Sequence, residues 1–400
     1  MRLIHVILLV FCVVNLQAKR IYVSDQGNDA NDGCDWSSAF ESLSFALCQA
    51  SDEDEIWISQ GTYKPKFNSS CIIADSAQVA TFYIEKSISI YGGLPIGATS
   101  LEEQDSDQII TTLTGGIPDL SDNSYNVMTI AGGKRVILSG LVIRDGYANG
   151  STGSNNIFGG GLFVRSGDGD LSLDILKCTF TNNRSANSGG AMRLTTSLQG
   201  NLCVLIDQCI FDDNESESIA GAISVRPFTE PINMNVVNCV FNNNFADASG
   251  GAISISSAVN GIANVDFNHC TFVNNTADAF GGVLQASPAS DGGPIAIRMF
   301  QSVSSGSTGF GTFFLVGSNA SMEFFGCAIQ EHISCAEIGI PGNFSCFGDM
   351  IYGLDPQFVD TLNNDFRLRL SSPLIDRGEE TNYNNCEDEV IDIILSLIHI

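Results

Sequence analysis

Three carboxylates recur at one place in a repeated phrase. Glu217, Asp247 and Asp278 stand four residues ahead of Gly221, Gly251 and Gly282, while Ala186 holds that place ahead of Gly190. If the copies stack, like charges one strand spacing apart raise one another's pKa or recruit a cation. The column therefore reads either as a weak Ca²⁺ site or as three solvated loop acids. The acidic stretch "DANDG" (residues 29–33) lacks a full calcium-loop pattern and reads as a plain turn. No other cofactor is expected.

The remaining reactive types are sparse. Beyond residue 18 the histidines are His269, His332 and His399. His269 precedes Cys270 in the place that Lys177, Gln208 and Asn238 take before their cysteines, which reads as solvent-facing. A hydrolase needs two carboxylates at a set separation, and a lyase needs a carboxylate cluster with an Arg or Lys base. Neither signature is present, so no catalytic residue is assigned.

The phrase that carries the acids is a sixteen-residue unit such as "CVFNNNFADASGGAIS". Counting back from Gly190, Gly221, Gly251 and Gly282, cysteine lies twelve residues earlier at Cys178, Cys209, Cys239 and Cys270. Phenylalanine lies ten earlier at Phe180, Phe211, Phe241 and Phe272, and asparagine seven earlier at Asn183, Asn214, Asn244 and Asn275. Copies begin 31, 30 and 31 residues apart, and length varies only between phrases. That is the mark of a stacked unit with loops at its corners.

Apolar residues alternate before each cysteine, as in Leu173 and Ile175 or Val265 and Phe267, and again after each glycine. Period two predicts three short strands per copy, separated by Asn-, Gly- and Ser-rich turns. Strands stacked coil on coil form a parallel β-helix. Matching residues then lie about 4.8 Å apart, giving an apolar Phe column, an Asn ladder that satisfies turn polar groups, and Gly where the turn backbone needs it. The Cys column reads as buried thiols, with disulfides or metal as alternatives. Weaker rungs extend the pattern, with Leu141 and Ile143 in the Cys and Phe places upstream and Cys327 downstream.

Outside the coils the chain divides further. Residues 1–18, with Arg2 ahead of an apolar run, read as a secretory leader. Residues 19–60 read as an N-terminal cap with a helix in which Phe40, Leu43 and Leu47 share a face and Ser38 with Glu41 forms a capping box. Residues 61–378 form the β-helix, clearest over 173–286, and the strands and turns from Asp355 are expected to close its far end. Residues 379–400 are an acidic tail whose final "LSLIHI" matches a translated sequencing adapter and is set aside.

The chain of 400 residues carries net charge −27, with 18 Lys and Arg against 45 Asp and Glu. That balance disfavours nucleic acid, which needs clustered cations. Sequons at Asn68, Asn149, Asn319 and Asn343 are candidate glycosylation sites, whereas Asn183 and Asn214 sit in the ladder.

"CxFxxN" followed by "GGA" resembles the repeat of the chlamydial polymorphic outer-membrane proteins. The opening "YVSDQGNDANDGCDWSSAFESLSFAL" and the closing "DPQFVD" and "SSPLID" are similar to those of β-helix surface proteins with the pectin-lyase-like fold. The resemblance implies an all-β, right-handed parallel β-helix, export, and a surface or adhesive role. The expected partner is an extracellular glycan or cell-surface protein, bound by the corner loops. A membrane attachment would come only from a C-terminal region such as the family's barrel. A carbohydrate-active lyase and a purely structural spacer are the alternative readings.

Overall fold

The computed structural model describes residues 18–116, 122–197, 199–338, 343–361, 365–375, 381–384 and 390–393. Residues 1–17 of the expected leader and the last seven residues lie outside these. Among the described residues no helix is long and apolar enough to cross a membrane.

The chain winds into an all-β, right-handed parallel β-helix. One coil shows the plan. Ile232–Val237 belongs to a long sheet of eleven strands, Val240–Asn242 to a ten-stranded sheet that carries the Phe column, and Ile253–Ile255 to an eight-stranded return sheet. Between the Asn and the Gly runs a fourth, two-residue strand, Phe245–Ala246, in a six-stranded corner sheet. The expected three strands per copy are thus four. The extra strand is so short that its inward residue, Ser185, Ser216, Ala246 or Ala277, is the only buried one, and two residues show no period.

Register across the coils is that of the repeat. Phe180, Phe211, Phe241 and Phe272 pair strand to strand. Their rings stack at 5.0, 4.8 and 4.9 Å with planes within 10°. Each is fully buried, contributing about 2–3 kcal/mol by area. Ile143 extends the column upstream, and Ser304 ends it. One apolar core runs from Ile21 to Ile338.

The Asn ladder is fully bonded. Nδ2 of Asn183, Asn214 and Asn244 donates to Oδ1 of the next Asn at 3.1, 3.0 and 2.9 Å. The same Nδ2 donates to the carbonyl of Ile143, Phe180 or Phe211 one coil back, at 2.9 Å each. Each Oδ1 also accepts a backbone N–H. The turn before the ladder needs φ near +53°, which Asn182, Asp213, Asn243 and Asn274 adopt; among residues with a side chain, Asn and Asp adopt it most readily.

The aligned glycines play a different part from the one expected. Positive φ falls one residue earlier, at Gly189, Ala220, Gly250 and Gly281. A Cβ on Gly190, Gly221, Gly251 or Gly282 would instead meet a backbone oxygen of the neighbouring coil at 2.2–2.3 Å. Close approach of backbones, not turn conformation, excludes a side chain there.

Cys178, Cys209, Cys239 and Cys270 are free, buried thiols, as is Cys327. The Cys209 and Cys239 sulfurs accept the backbone N–H of Cys178 and Cys209 at 3.3 and 3.4 Å. Burial pushes the Cys209 and Cys270 thiols well up and Cys327 to about 12. Disulfides join Cys48 to Cys71 and Cys335 to Cys346, both outside the column.

The ends differ from expectation in two respects. The helix is Leu43–Gln49, with Ser42 as N-cap accepting the Phe45 N–H at 3.4 Å. The Ser38–Glu41 box does not form, because Asp35 caps a 3₁₀ turn over Trp36–Ser38 and Glu41 faces Lys66. Leu43 and Leu47 are buried as expected. The strands Phe358–Asp360 and Asp365–Leu368 pair antiparallel and do not simply close the stack. Phe358, Phe366 and Leu374 lie on the outer flank of the Phe-bearing sheet, against Val240, Val273 and Val303.

Two measurements test this packing. Phe241→Ala should cost about 3–5 kcal/mol in denaturant melts, while half-buried Phe245→Ala should cost much less; equal losses would contradict the facing. In the native protein a thiol reagent should modify exposed Cys34 rapidly, and Cys178, Cys209, Cys239, Cys270 and Cys327 only after unfolding.

Candidate functional site

The coils bring the three column acids into line but give them nothing to hold. Ser216, Ala246 and Ala277 are in register, so the residues that follow them, Glu217, Asp247 and Asp278, project from successive coils. All three are exposed, and Glu217 accepts the Tyr147 hydroxyl at 2.8 Å. Among the described residues no group of three or more His, Cys, Asp or Glu is arranged for a metal. Of the two readings of the column, the exposure of all three side chains matches solvated loop acids. In residues 29–33, Asp29 caps the Ser42 N–H at 2.8 Å. Asp32 accepts from Cys34 N and Ser38 Oγ, which hold its carboxyl below the usual range. These acids are turn caps.

His269 departs from expectation. It is only 7% exposed, and neither ring nitrogen has a hydrogen-bond partner. Its column, Lys177, Gln208, Asn238, His269 and Gln301, has φ of 48–54°, a left-handed turn between the long and Phe-bearing sheets. The polar residues at that place in the other copies suggested exposure, but the ring is buried.

The candidate glycosylation sites differ in access. Asn319 is exposed, and Asn68 is half-buried with its Oδ1 accepting the Ser70 N–H at 2.9 Å. Asn149 is half-buried, and its Oδ1 is buried without a partner. Asn183 and Asn214 are fully buried in the ladder. The side chain of Asn343 lies outside the described residues.

Two grooves lie on the flanks. The first, of about 450 Å³, runs over the return sheet where Phe82–Ile84, Met128–Ile130 and Leu162–Arg165 pair. Inward residues of these strands enter the core, so Tyr83, Thr129, Phe163 and Arg165 face outward. Irregular corners wall it, with Asn68 and Gln78 on one side and Asn155 and Asn156 of the inserted loop on the other. Thr81 Oγ1 and Thr129 Oγ1 lie 3.0 Å apart. Asn126 Nδ2 is committed to the Phe158 and Gly159 carbonyls. The lining contains no Asp, Glu, His or Cys; burial raises the Tyr83 hydroxyl pKa, reinforced by Glu85. Aromatic faces beside amides, hydroxyls and one guanidinium suit a polyhydroxylated ligand and offer no acid–base pair. Sequence reasoning missed this site, because its floor comes from three adjacent coils that lie before the clearest repeats and are joined by long loops.

The second groove, of about 540 Å³, flanks the Phe-bearing sheet. Val142, Thr179, Ile210 and Val240 make its floor, Lys177, Gln208 and Asn238 its rim, and Gln104, Asp105 and Asp107 its wall. Asp105 Oδ1 caps the Asp107 and Gln108 N–H groups at 3.2 and 3.1 Å, so its carboxylate is structural.

The Chlamydia polymorphic membrane protein repeat matches residues 177–191 and 238–256. A sequence comparison with curated proteins finds no match. Among solved structures, the chain is similar to the pectate lyase Pel9A at 13% identity and TM-score 0.49, covering 92% of this chain and 93% of that one. A rhamnogalacturonan lyase is 12% identical with TM-score 0.42, covering 86% and 91%. Pectin methylesterase PemA from Erwinia chrysanthemi is 12% identical with TM-score 0.32, covering 94% and 85%.

The buried His269 gives a pH signature. Burial lowers its pKa below the ordinary value, so between that lowered value and about 6.5 the unfolded chain binds more protons than the folded one. The stability contributed by neutral His269 is full above about pH 6.5 and is lost as pH falls. His269→Asn, matching Asn238, should lose less stability than wild type between pH 7 and 5 in paired melts; parallel losses would show that the ring is solvated.

Proposed function

We propose that this chain is a secreted or cell-surface β-helix protein that binds a saccharide without transforming it, using the groove over the return sheet. The observation that carries the reading is the lining of that groove. Half-buried Tyr83 and Tyr125 present ring surface, and Gln78, Asn155, Asn156 and Thr129 bring amide and hydroxyl groups. Such groups orient a sugar through hydrogen bonds while the rings exclude water. No paired carboxylates stand there to protonate a leaving group or activate water.

Export is supported by the apolar leader read from the sequence. The surface role is supported by the repeat match and by a scaffold that spends its regular residues on the core, leaving the corners to vary. One observation favours a second reading, a polysaccharide lyase: Lys177 and Asp107 both border the second groove.

A glycan array probed with the purified protein should return saccharide ligands. Tyr83→Ala should weaken the best of them at least about tenfold, equal to about 1.4 kcal/mol, with an unchanged melting midpoint. No saccharide binding would favour a spacer. New ultraviolet absorbance on incubation with polyuronides, lost in Lys177→Ala, would favour the lyase.

A further inference from the structure

The first groove continues onto an unusual patch of the return sheet. Leu162–Arg165, Met192–Thr195 and Ile223–Arg226 are adjacent parallel strands. Leu162, Val164, Met192, Leu194, Ile223 and Val225 enter the core, so Phe163 and Arg165, Arg193 and Thr195, and Ser224 and Arg226 share the outer face, where Phe163, Arg193 and Ser224 are themselves covered. Register places Arg165 and Arg226 on either side of Thr195, their backbones roughly 10 Å apart across two strand spacings. Arg193 sits between Phe163 and Ser224 in the neighbouring row. Three arginines thus gather on one face of a chain of net charge −27.

Among the described residues none of the three has a carboxylate partner. Elsewhere arginines pair with acids, as Arg20 does with Glu55, Arg135 with Asp174, Arg144 with Asp145, Arg184 with Glu215 and Arg298 with Asp266. Arg193 is the extreme case. It is only 5% exposed, covered by the Phe158 ring 5.1 Å away. Its Nη1 donates to Ser188 Oγ at 2.9 Å and Ser224 Oγ at 2.6 Å, both neutral acceptors. Burial, reinforced by the charge of Arg226, lowers its pKa to about 9. Burying a cation beside like charges is costly unless an anion is supplied. Arg165 and Arg226 are exposed, and among the described residues neither shows an ion pair or a side-chain hydrogen bond, so their forks are available.

We infer that Arg165, Arg193 and Arg226 form an anion subsite at the edge of the saccharide groove, so that the ligand is an acidic oligosaccharide whose carboxylate or sulfate sits over Thr195 while its chain runs along the groove to Tyr83. Arg165 and Arg226 contact the anion as forks. Arg193 supplies field from below and positions the Ser224 hydroxyl. This inference rests on the groove as the saccharide site and adds the charge class of its ligand.

Titration calorimetry with matched oligosaccharides tests it. The probes are oligogalacturonate and its methyl ester, and chondroitin sulfate oligomers and their desulfated counterparts. Wild type should bind the acidic member of one pair at least tenfold tighter than the partner in which that group is blocked or removed, and the pair that responds identifies carboxylate or sulfate. Arg165→Gln and Arg226→Gln should each lose about five- to tenfold on the acidic member and nothing on its partner. Each should also flatten the dependence of log affinity on log salt. Equal affinity of wild type for both members, or equal losses on both in the Arg variants, would overturn the anion subsite while leaving the groove as a saccharide site. If no member binds wild type, both readings fall.

Discussion

A polypeptide that turns sharply inside its own core must satisfy the backbone groups the turn leaves bare. Here one residue type does so at the corner. The Asn183 to Asn275 ladder places a donor and an acceptor on each side chain, and each level uses both, bonding along the axis and to the turn of the coil behind. An unpaired amide at such depth costs about 1–3 kcal/mol. The bonds form only if neighbouring coils stay in register, so the ladder also fixes the register that stacks the Phe rings and opposes Gly backbones at close range. Substitution of one Asn leaves partners bare on two levels.

With the interior committed to this register, the outer faces differ in fate. The Phe-bearing sheet presents Val240, Val273 and Val303 outward, and the chain returns to cover them with Phe358, Phe366 and Leu374. The return sheet turns outward Tyr83, Thr129, Phe163 and three arginines that have no carboxylate partner among the described residues, and only part of it is walled by corner loops. An apolar flank is covered by the chain itself, whereas a polar, aromatic flank left open is suited to a ligand.

Where expectation and structure part, the cause is the third dimension. His269 stands where other copies carry Lys, Gln and Asn, which suggested exposure, but the surrounding chain buries it to 7%. Ser38 and Glu41 have capping-box spacing, but Asp35 takes the Ser38 N–H at 2.8 Å and leaves Ser42 to begin the helix.

The sequence by itself determined the solenoid, because each copy repeats the same inward residues at the same offsets and a stacked coil is the arrangement that buries all of them at once. Cys178 to Cys270, Phe180 to Phe272 and Asn183 to Asn275 were legible because their roles depend on like meeting like, a relation that repetition exposes. The grooves and the arginine patch were decided only by the tertiary structure. Tyr83 and Thr129 are reached across loops of unequal length, and although Phe163 and Arg193, and Arg165 and Arg226, stand at matching places of the copies, those places do not keep one residue type from copy to copy, so repetition does not mark them.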